Sequence, residues 1–117
     1  VSTTPADWDK SKGSCADIHL SADGRFAYAS NRGHDSLAVF AIDPKSGELT
    51  SRGQTPTEKT PRSFCIVPGG EKFVVSAGQG SNRLVVYRRN ASTGALTPLK
   101  TYDCGKGPAW VLGVKYQ

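Results

Sequence analysis

The sequence predicts an all-β fold built from repeated four-stranded units, and three observations carry that expectation. The chain repeats itself at a separation of 47 residues without a gap: Arg25 aligns with Lys72, Phe26 with Phe73, Leu37 with Leu84, Val39 with Val86, Phe40 with Tyr87, Gly47 with Gly94 and Leu49 with Leu96. Each unit divides into four short apolar stretches bounded by turn residues, and none of them has the spacing of a helix. The connections are short, which makes neighbouring strands antiparallel.

Taken in order, residues 1–13 are a lead segment, the tail of a preceding unit or a loop, with Trp8 as its large apolar residue. The first repeat, 14–60, holds predicted strands over 16–20, 26–30, 37–42 and 49–54. The second, 61–107, holds the counterparts 63–67, 73–77, 83–88 and 96–102. Ala22-Asp23-Gly24 and Pro68-Gly69-Gly70 turn the chain between first and second strands, with glycine taking positive φ at little steric cost. Asp43-Pro44-Lys45-Ser46-Gly47 and Asn90-Ala91-Ser92-Thr93-Gly94 do so between third and fourth. The same shift carries Pro61 to Pro108, so 108–117 is expected to be the innermost strand of the next or closing unit.

A period in the forties with four antiparallel strands per unit is the pattern of a β-propeller blade. One such sheet cannot bury both faces, so blades stack radially and the ring must close. Two and a half blades are too few for a ring of about four to eight. The remaining blades are expected in another part of a longer chain or in a second polypeptide, or several copies assemble as a homo-oligomer. Apolar rows around Phe40, Val74 and Val86 are expected to lie open where blades are missing, so that the chain alone is not a compact monomer.

The composition narrows the partners. Fifteen Lys and Arg against ten Asp and Glu give a net charge of +5, but the basic residues are scattered and form no patch that would read nucleic acid. No apolar run approaches the roughly 20 residues of a membrane helix, so no membrane partner is expected. Cys15, Cys65 and Cys104 are odd in number and contain no CxxC pair, which suits neither a disulfide framework nor a zinc site. They read as reduced thiols of a cytoplasmic protein. The chain opens at Val1 with neither a charged n-region nor an apolar h-region, so any targeting peptide is expected to be absent or already removed, and the sequon Asn90-Ala91-Ser92 is of a kind common by chance.

Alternating strand direction gives each blade two rims. One carries Asp17, Asn31, Arg32, Gly33, His34, Arg62 and Gln79, and a propeller's central pocket would open there; the opposite rim carries the Asp-Gly and Thr-Gly turns. His19 stands two residues beyond Asp17, on the same strand face. It is either a general base or donor to a substrate oxygen, or a buried histidine satisfied by the next blade. Its counterpart one repeat later is Ile66. His34 falls in a loop and reads as solvated. Arg62 is either a clamp for phosphate or carboxylate or an inter-blade salt bridge. Arg32 is the equivalent candidate, Gln79 occupies its place in the second repeat, and Asp17 either orients His19 or an arginine or caps a turn. Cys15 and Cys65 read as small thiols buried near inner strands. Neither a metal-ligand constellation, a cofactor motif nor a G-x-S-x-G elbow is present.

Several stretches also resemble one family: Ala16-Asp17-Ile18-His19-Leu20 with Asp23-Gly24-Arg25, Gln54-Thr55-Pro56-Thr57-Glu58 with Pro61-Arg62-Ser63-Phe64, Ala77-Gly78-Gln79, and Gly105-Lys106-Gly107-Pro108-Ala109-Trp110-Val111. From about Ala16 onward the chain resembles the C-terminal third of the seven-bladed lactonases typified by the bacterial type of 6-phosphogluconolactonase. The resemblance implies a seven-bladed ring and a metal-independent sugar-lactone hydrolase, taking 6-phosphogluconolactone to 6-phosphogluconate in the pentose phosphate pathway. On this reading His19 activates water or polarises the ester, Arg32 and Arg62 hold phosphate or oxyanion charge, and Asp17 and Gln79 help to bind an anionic sugar lactone. A non-catalytic propeller used for binding and a muconate-lactonising type of enzyme are the alternatives.

Overall fold

The computed structural model describes residues 1–117, folded as two four-stranded antiparallel sheets. The first is β1 (Ser14–Leu20), β2 (Phe26–Arg32), β3 (Ser36–Ile42) and β4 (Leu49–Pro56); the second is β5 (Pro61–Ile66), β6 (Phe73–Gly78), β7 (Arg83–Arg89) and β8 (Leu96–Asp103). Within each sheet spatial order follows chain order. These are two blades of a propeller, side by side in a flat body of 44 × 43 × 19 Å. One short 3-10 turn, Lys10–Lys12, precedes the β-structure. No helix is long and apolar enough to cross a membrane.

The turns repeat as the sequence does. Asp43 Oδ1 accepts the N–H groups of Lys45 and Ser46, both at 2.8 Å, and these bonds hold its carboxyl below the usual carboxylate range. In the second blade Asn90 Oδ1 accepts from Ser92 and Thr93 at 2.9 and 3.0 Å. Both turns end on a glycine in the left-handed region, Gly47 at φ 74° and Gly94 at φ 76°. A short side chain that bonds its own backbone two residues on closes each hairpin.

One core joins the blades. Phe26, Tyr28, Leu37 and Val39 of the first sheet pack with Phe64, Val74, Val85, Tyr87 and Leu96 of the second. The two tyrosines stitch it: Tyr28 donates to the Gly94 carbonyl at 2.8 Å and Tyr87 to the Pro56 carbonyl at 2.6 Å. On the lower rim Glu71 accepts the Ala22 N–H on both carboxylate oxygens at 3.0 Å, and it also pairs with the buried Arg89 at 3.2 Å. On the upper rim Asp35 Oδ1 accepts the Thr60 N–H at 2.9 Å.

Some expectations need correction. Val74 and Phe40 are not open: Val74 lies in the inter-blade core, and Phe40 packs with Ala27, Ala29 and Ala38 on the other face of its own sheet. Apolar residues that do face outward include Ile18, Leu20, Phe73, Trp110, Leu112 and Val114. Residues 108–117 form no strand ladder here, where the chain holds no other strand of the blade they would open; residues 111–113 lie against β5, where the Val111 N–H donates to Ser63 Oγ at 3.1 Å. Gly113 permits that approach, since a Cβ there would stand 2.7 Å from Pro68 Cδ.

Another concerns register. His19 pairs with Tyr28, so a strict 47-residue repeat would pair Ile66 with Val75; instead Cys65 pairs with Val75 and Ile66 with Val74. The spatial counterpart of His19 is therefore Cys65, and that of Asp17 is Ser63. Ile18 and Phe64, 46 residues apart, therefore hold the same position: Phe64 packs into the core against the first blade, whereas the matching face of the first blade has no blade before it and leaves Ile18 exposed. Cys65 is buried as expected, and burial pushes its thiol up; Cys15 is exposed. His34 is not simply solvated: Ser36 Oγ lies 2.7 Å from its Nδ1, and Trp8 packs edge-on against its ring at 4.7 Å.

Candidate active site on the inner-strand rim

Both inner strands carry a β-bulge at their upper ends. In β1 it falls between Cys15 and Ile18, in β5 between Pro61 and Ser63. An extra residue in one strand re-aims its side chains, a device common beside active sites. In β5 the extra residue is Arg62, which stands exposed on the rim. Thr60, at φ 55°, swings the chain into this position, and its carbonyl accepts the N–H of Arg62 at 2.8 Å and of Gln79 at 3.0 Å. In β1 the bulge frees the Asp17 N–H from the ladder, and it donates to Ser30 Oγ at 3.1 Å.

Asp17 holds three partners. Its Oδ1 accepts the Ile18 N–H at 2.9 Å, while Oδ2 accepts the Phe64 N–H at 3.2 Å and lies 3.2 Å from His19 Nε2. The carboxylate therefore bridges two inner strands and fixes the imidazole. Because a carboxylate only accepts, Nε2 carries the proton and Nδ1 is left as the basic nitrogen. Phe64 closes the other side of the ring, edge-on at 4.8 Å. The His19 side chain keeps 40% of its surface open, so it is held by the next blade without being sealed by it.

Asp17, Arg32, Arg62, Ser63, Ala109 and Trp110 line one cavity of about 460 Å³. A second, of about 270 Å³, adjoins it and adds His19, with Asp17, Ser63 and Trp110 shared between the two. Neither arginine has a carboxylate partner, since the ion pairs in the chain are His19–Asp17, Arg83–Asp103 and Arg89–Glu71. Arg62 therefore makes no inter-blade salt bridge. Arg32 donates from Nη2 to the Cys15 carbonyl at 3.4 Å, and its Nε is buried without a partner. Arg32 also edges a third cavity of about 290 Å³ beneath residues 1–4, beside Cys15 and Asn31. No group of three or more His, Cys, Asp or Glu is placed to hold a metal ion.

Four of the five candidates thus meet: Asp17, His19, Arg32 and Arg62. Gln79 does not line either cavity; its backbone is tied to Thr60 in the β6–β7 loop. Ser63 and Trp110 were not expected as walls of the site. Ser63 follows the visible arginine, but its facing depends on the bulge, and Trp110 reaches the site only because residues 109–114 dock on β5.

Two four-stranded antiparallel blades packed side by side define a partial β-propeller. The profile described as "Lactonase, 7-bladed beta-propeller" matches residues 1–113, so the chain belongs to that family, and the likeness includes the lead segment. It is 45% identical over 96 residues to a 6-phosphogluconolactonase of Pectobacterium carotovorum, covering 82% of this chain and 29% of the relative. It is 41% identical over 107 residues to one of Serratia proteamaculans, covering 92% and 32%. Among solved structures, a Lactobacillus plantarum protein superposes with a TM-score of 0.85 at 37% identity, over 94% of this chain and 32% of that one. The periplasmic gluconolactonase of Pseudomonas aeruginosa does so with 0.78 at 36% identity, over 88% and 29%. The chain spans about three-tenths of the length of these relatives.

Proposed function

We propose that the whole protein, with its other blades in the same longer polypeptide, hydrolyses a phosphorylated sugar lactone, 6-phosphogluconolactone, to 6-phosphogluconate. One observation carries this reading: two arginines without carboxylate partners share a cavity with Asp17, which in turn holds His19. Unpaired guanidinium groups at a cavity are suited to a phosphate or a developing oxyanion. The names of the curated relatives support the same substrate.

In the reaction His19 Nδ1 accepts a proton from water as the water oxygen bonds to the lactone carbonyl carbon. The ring C–O bond then breaks, and the proton passes to the departing alkoxide. Asp17 keeps the imidazole in the tautomer that does this. Arg62 and Arg32 neutralise charge on the phosphate and the carbonyl oxygen. The three unpaired thiols are in keeping with a cytoplasmic location.

The test compares phosphorylated and unphosphorylated lactone. Arg62→Ala should lower kcat/KM about ten- to a hundredfold more for the phosphorylated substrate, the loss of one charged hydrogen-bonding partner. His19→Gln should lower kcat for both substrates alike. Small, equal effects from the two replacements, with unchanged melting, would remove both residues from the site and favour a non-catalytic propeller.

A further inference from the structure

Resting on the lactonase reading, we infer that Ser63 is a hydrogen-bond donor to the substrate. Ser63 is 5% exposed and lines both adjoining cavities, between Arg62 and the Asp17–His19 pair. Its Oγ accepts the Val111 N–H at 3.1 Å and donates to no acceptor of the chain. A serine hydroxyl has one proton and two acceptor sites, so the bond from Val111 leaves the proton uncommitted. A buried hydroxyl with an unspent proton loses free energy unless an acceptor arrives.

The acceptor chemistry follows from the neighbours. Asp17 is already engaged by His19 and two backbone N–H groups, so the cavity calls for an oxygen from outside the protein. A lactone carbonyl oxygen, which gains negative charge as water adds, is such an acceptor. A fixed donor beside two cations strengthens as that charge develops, so the bond acts on turnover more than on binding. The bulge that turns Arg62 outward places Ser63 in the position that Asp17 holds in the first blade. The two positions thus serve one lactone differently, Asp17 setting the base and Ser63 meeting the oxygen.

The test uses the whole protein and the unphosphorylated and phosphorylated lactones. Ser63→Ala should lower kcat about a hundredfold with KM nearly unchanged. Ser63→Cys, of similar shape but a weak donor, should do the same and decides the matter if the alanine variant fails to fold. Ser63→Thr should restore most of the turnover. Val111→Pro removes the N–H that Ser63 accepts, while replacing the side chain and fixing φ, and should keep kcat within about fivefold of the parent. Equal losses in Ser63→Ala or Ser63→Cys and in Val111→Pro would make Ser63 a structural pin and overturn the donor role. So would a kcat for both Ser63→Ala and Ser63→Cys close to that of the parent. A parent protein inert toward both lactones overturns the lactonase reading first, whereas an active parent with unaffected Ser63 variants sinks this inference alone.

Discussion

The Asp17 carboxylate accepts the backbone N–H of Phe64 at 3.2 Å, one inner strand reaching across to the next. Ser63 accepts the N–H of Val111 at 3.1 Å in the same way. The blades are thus joined beside the candidate site by side-chain oxygens that take up amide protons no ladder can satisfy. Loss of such an acceptor strands a partly buried N–H. Asp17→Ala should therefore destabilise the protein by about 1–3 kcal/mol. It should also lower kcat, because the imidazole loses the partner that sets its tautomer. Asp17→Asn keeps an acceptor for Phe64 and should recover most of the stability but not the rate, and thermal melts with steady-state kinetics separate the two.

The two acidic residues at the edges of the second blade should behave differently. Arg89 is nearly sealed, with 3% of its side chain exposed, and Nη1 already lacks a partner. Glu71 offers it both a carboxylate oxygen at 3.2 Å and a carbonyl at 2.8 Å. Glu71→Ala leaves a buried charge with the carbonyl alone and frees the Ala22 N–H, a loss of about 2–3 kcal/mol. Arg83 and Asp103 sit 3.2 Å apart but open to water, so Asp103→Ala should shift stability by about 0.5 kcal/mol or less. Urea unfolding of both variants tests the contrast.

Strand ends and hairpin turns were legible because they rest on local chemistry. Asp43 and Asn90 close their turns with their own side chains, and the predicted strand over 73–77 is observed as Phe73–Gly78. The site was legible as a set of polar residues on one rim, and four of them do meet. What escaped was facing. The turn between β5 and β6 is one residue longer than that between β1 and β2, which moves the counterpart of His19 from Ile66 to Cys65, and the bulge at Arg62 turns Ser63 into the cavity. Trp110 escaped for a different reason: its place depends on Gly113 lying against Pro68, a close approach that no spacing announces.

The loop that carries Arg32 should tolerate little change. Gly33 has φ 88°, and a Cβ there would stand 2.3 Å from the Lys12 carbonyl oxygen; one on Gly13 would stand 2.2 Å from the Arg32 carbonyl oxygen. Two glycines thus let the lead segment lie directly on the end of β2. Gly33→Ala combines a strained φ with a backbone clash and should cost about 2 kcal/mol or more. It should also raise KM for the phosphorylated lactone more than for the unphosphorylated one, since the displaced residue is Arg32. Equal KM values would separate that loop from anion binding.

The tyrosine pair predicts an alkaline limit. Tyr28 and Tyr87 are fully buried, and burial is the first cause that pushes both phenols above their ordinary value of 10.0. Below about pH 10 both folded and unfolded chains keep these protons, and the contribution to stability is complete. Above it the unfolded chain releases them while the folded one still holds them, so stability falls as pH rises toward the raised folded values. The sign follows from proton count, because the unfolded state binds fewer protons in that window. Each phenol also donates to an inter-blade carbonyl, Gly94 or Pro56, so Phe in either place should cost about 1–2 kcal/mol at pH 8. Urea melts between pH 8 and 11 should show a decline in the parent that is distinctly shallower in the Tyr28→Phe, Tyr87→Phe double variant. An identical decline in both would assign the alkaline loss to the lysines and exposed tyrosines instead.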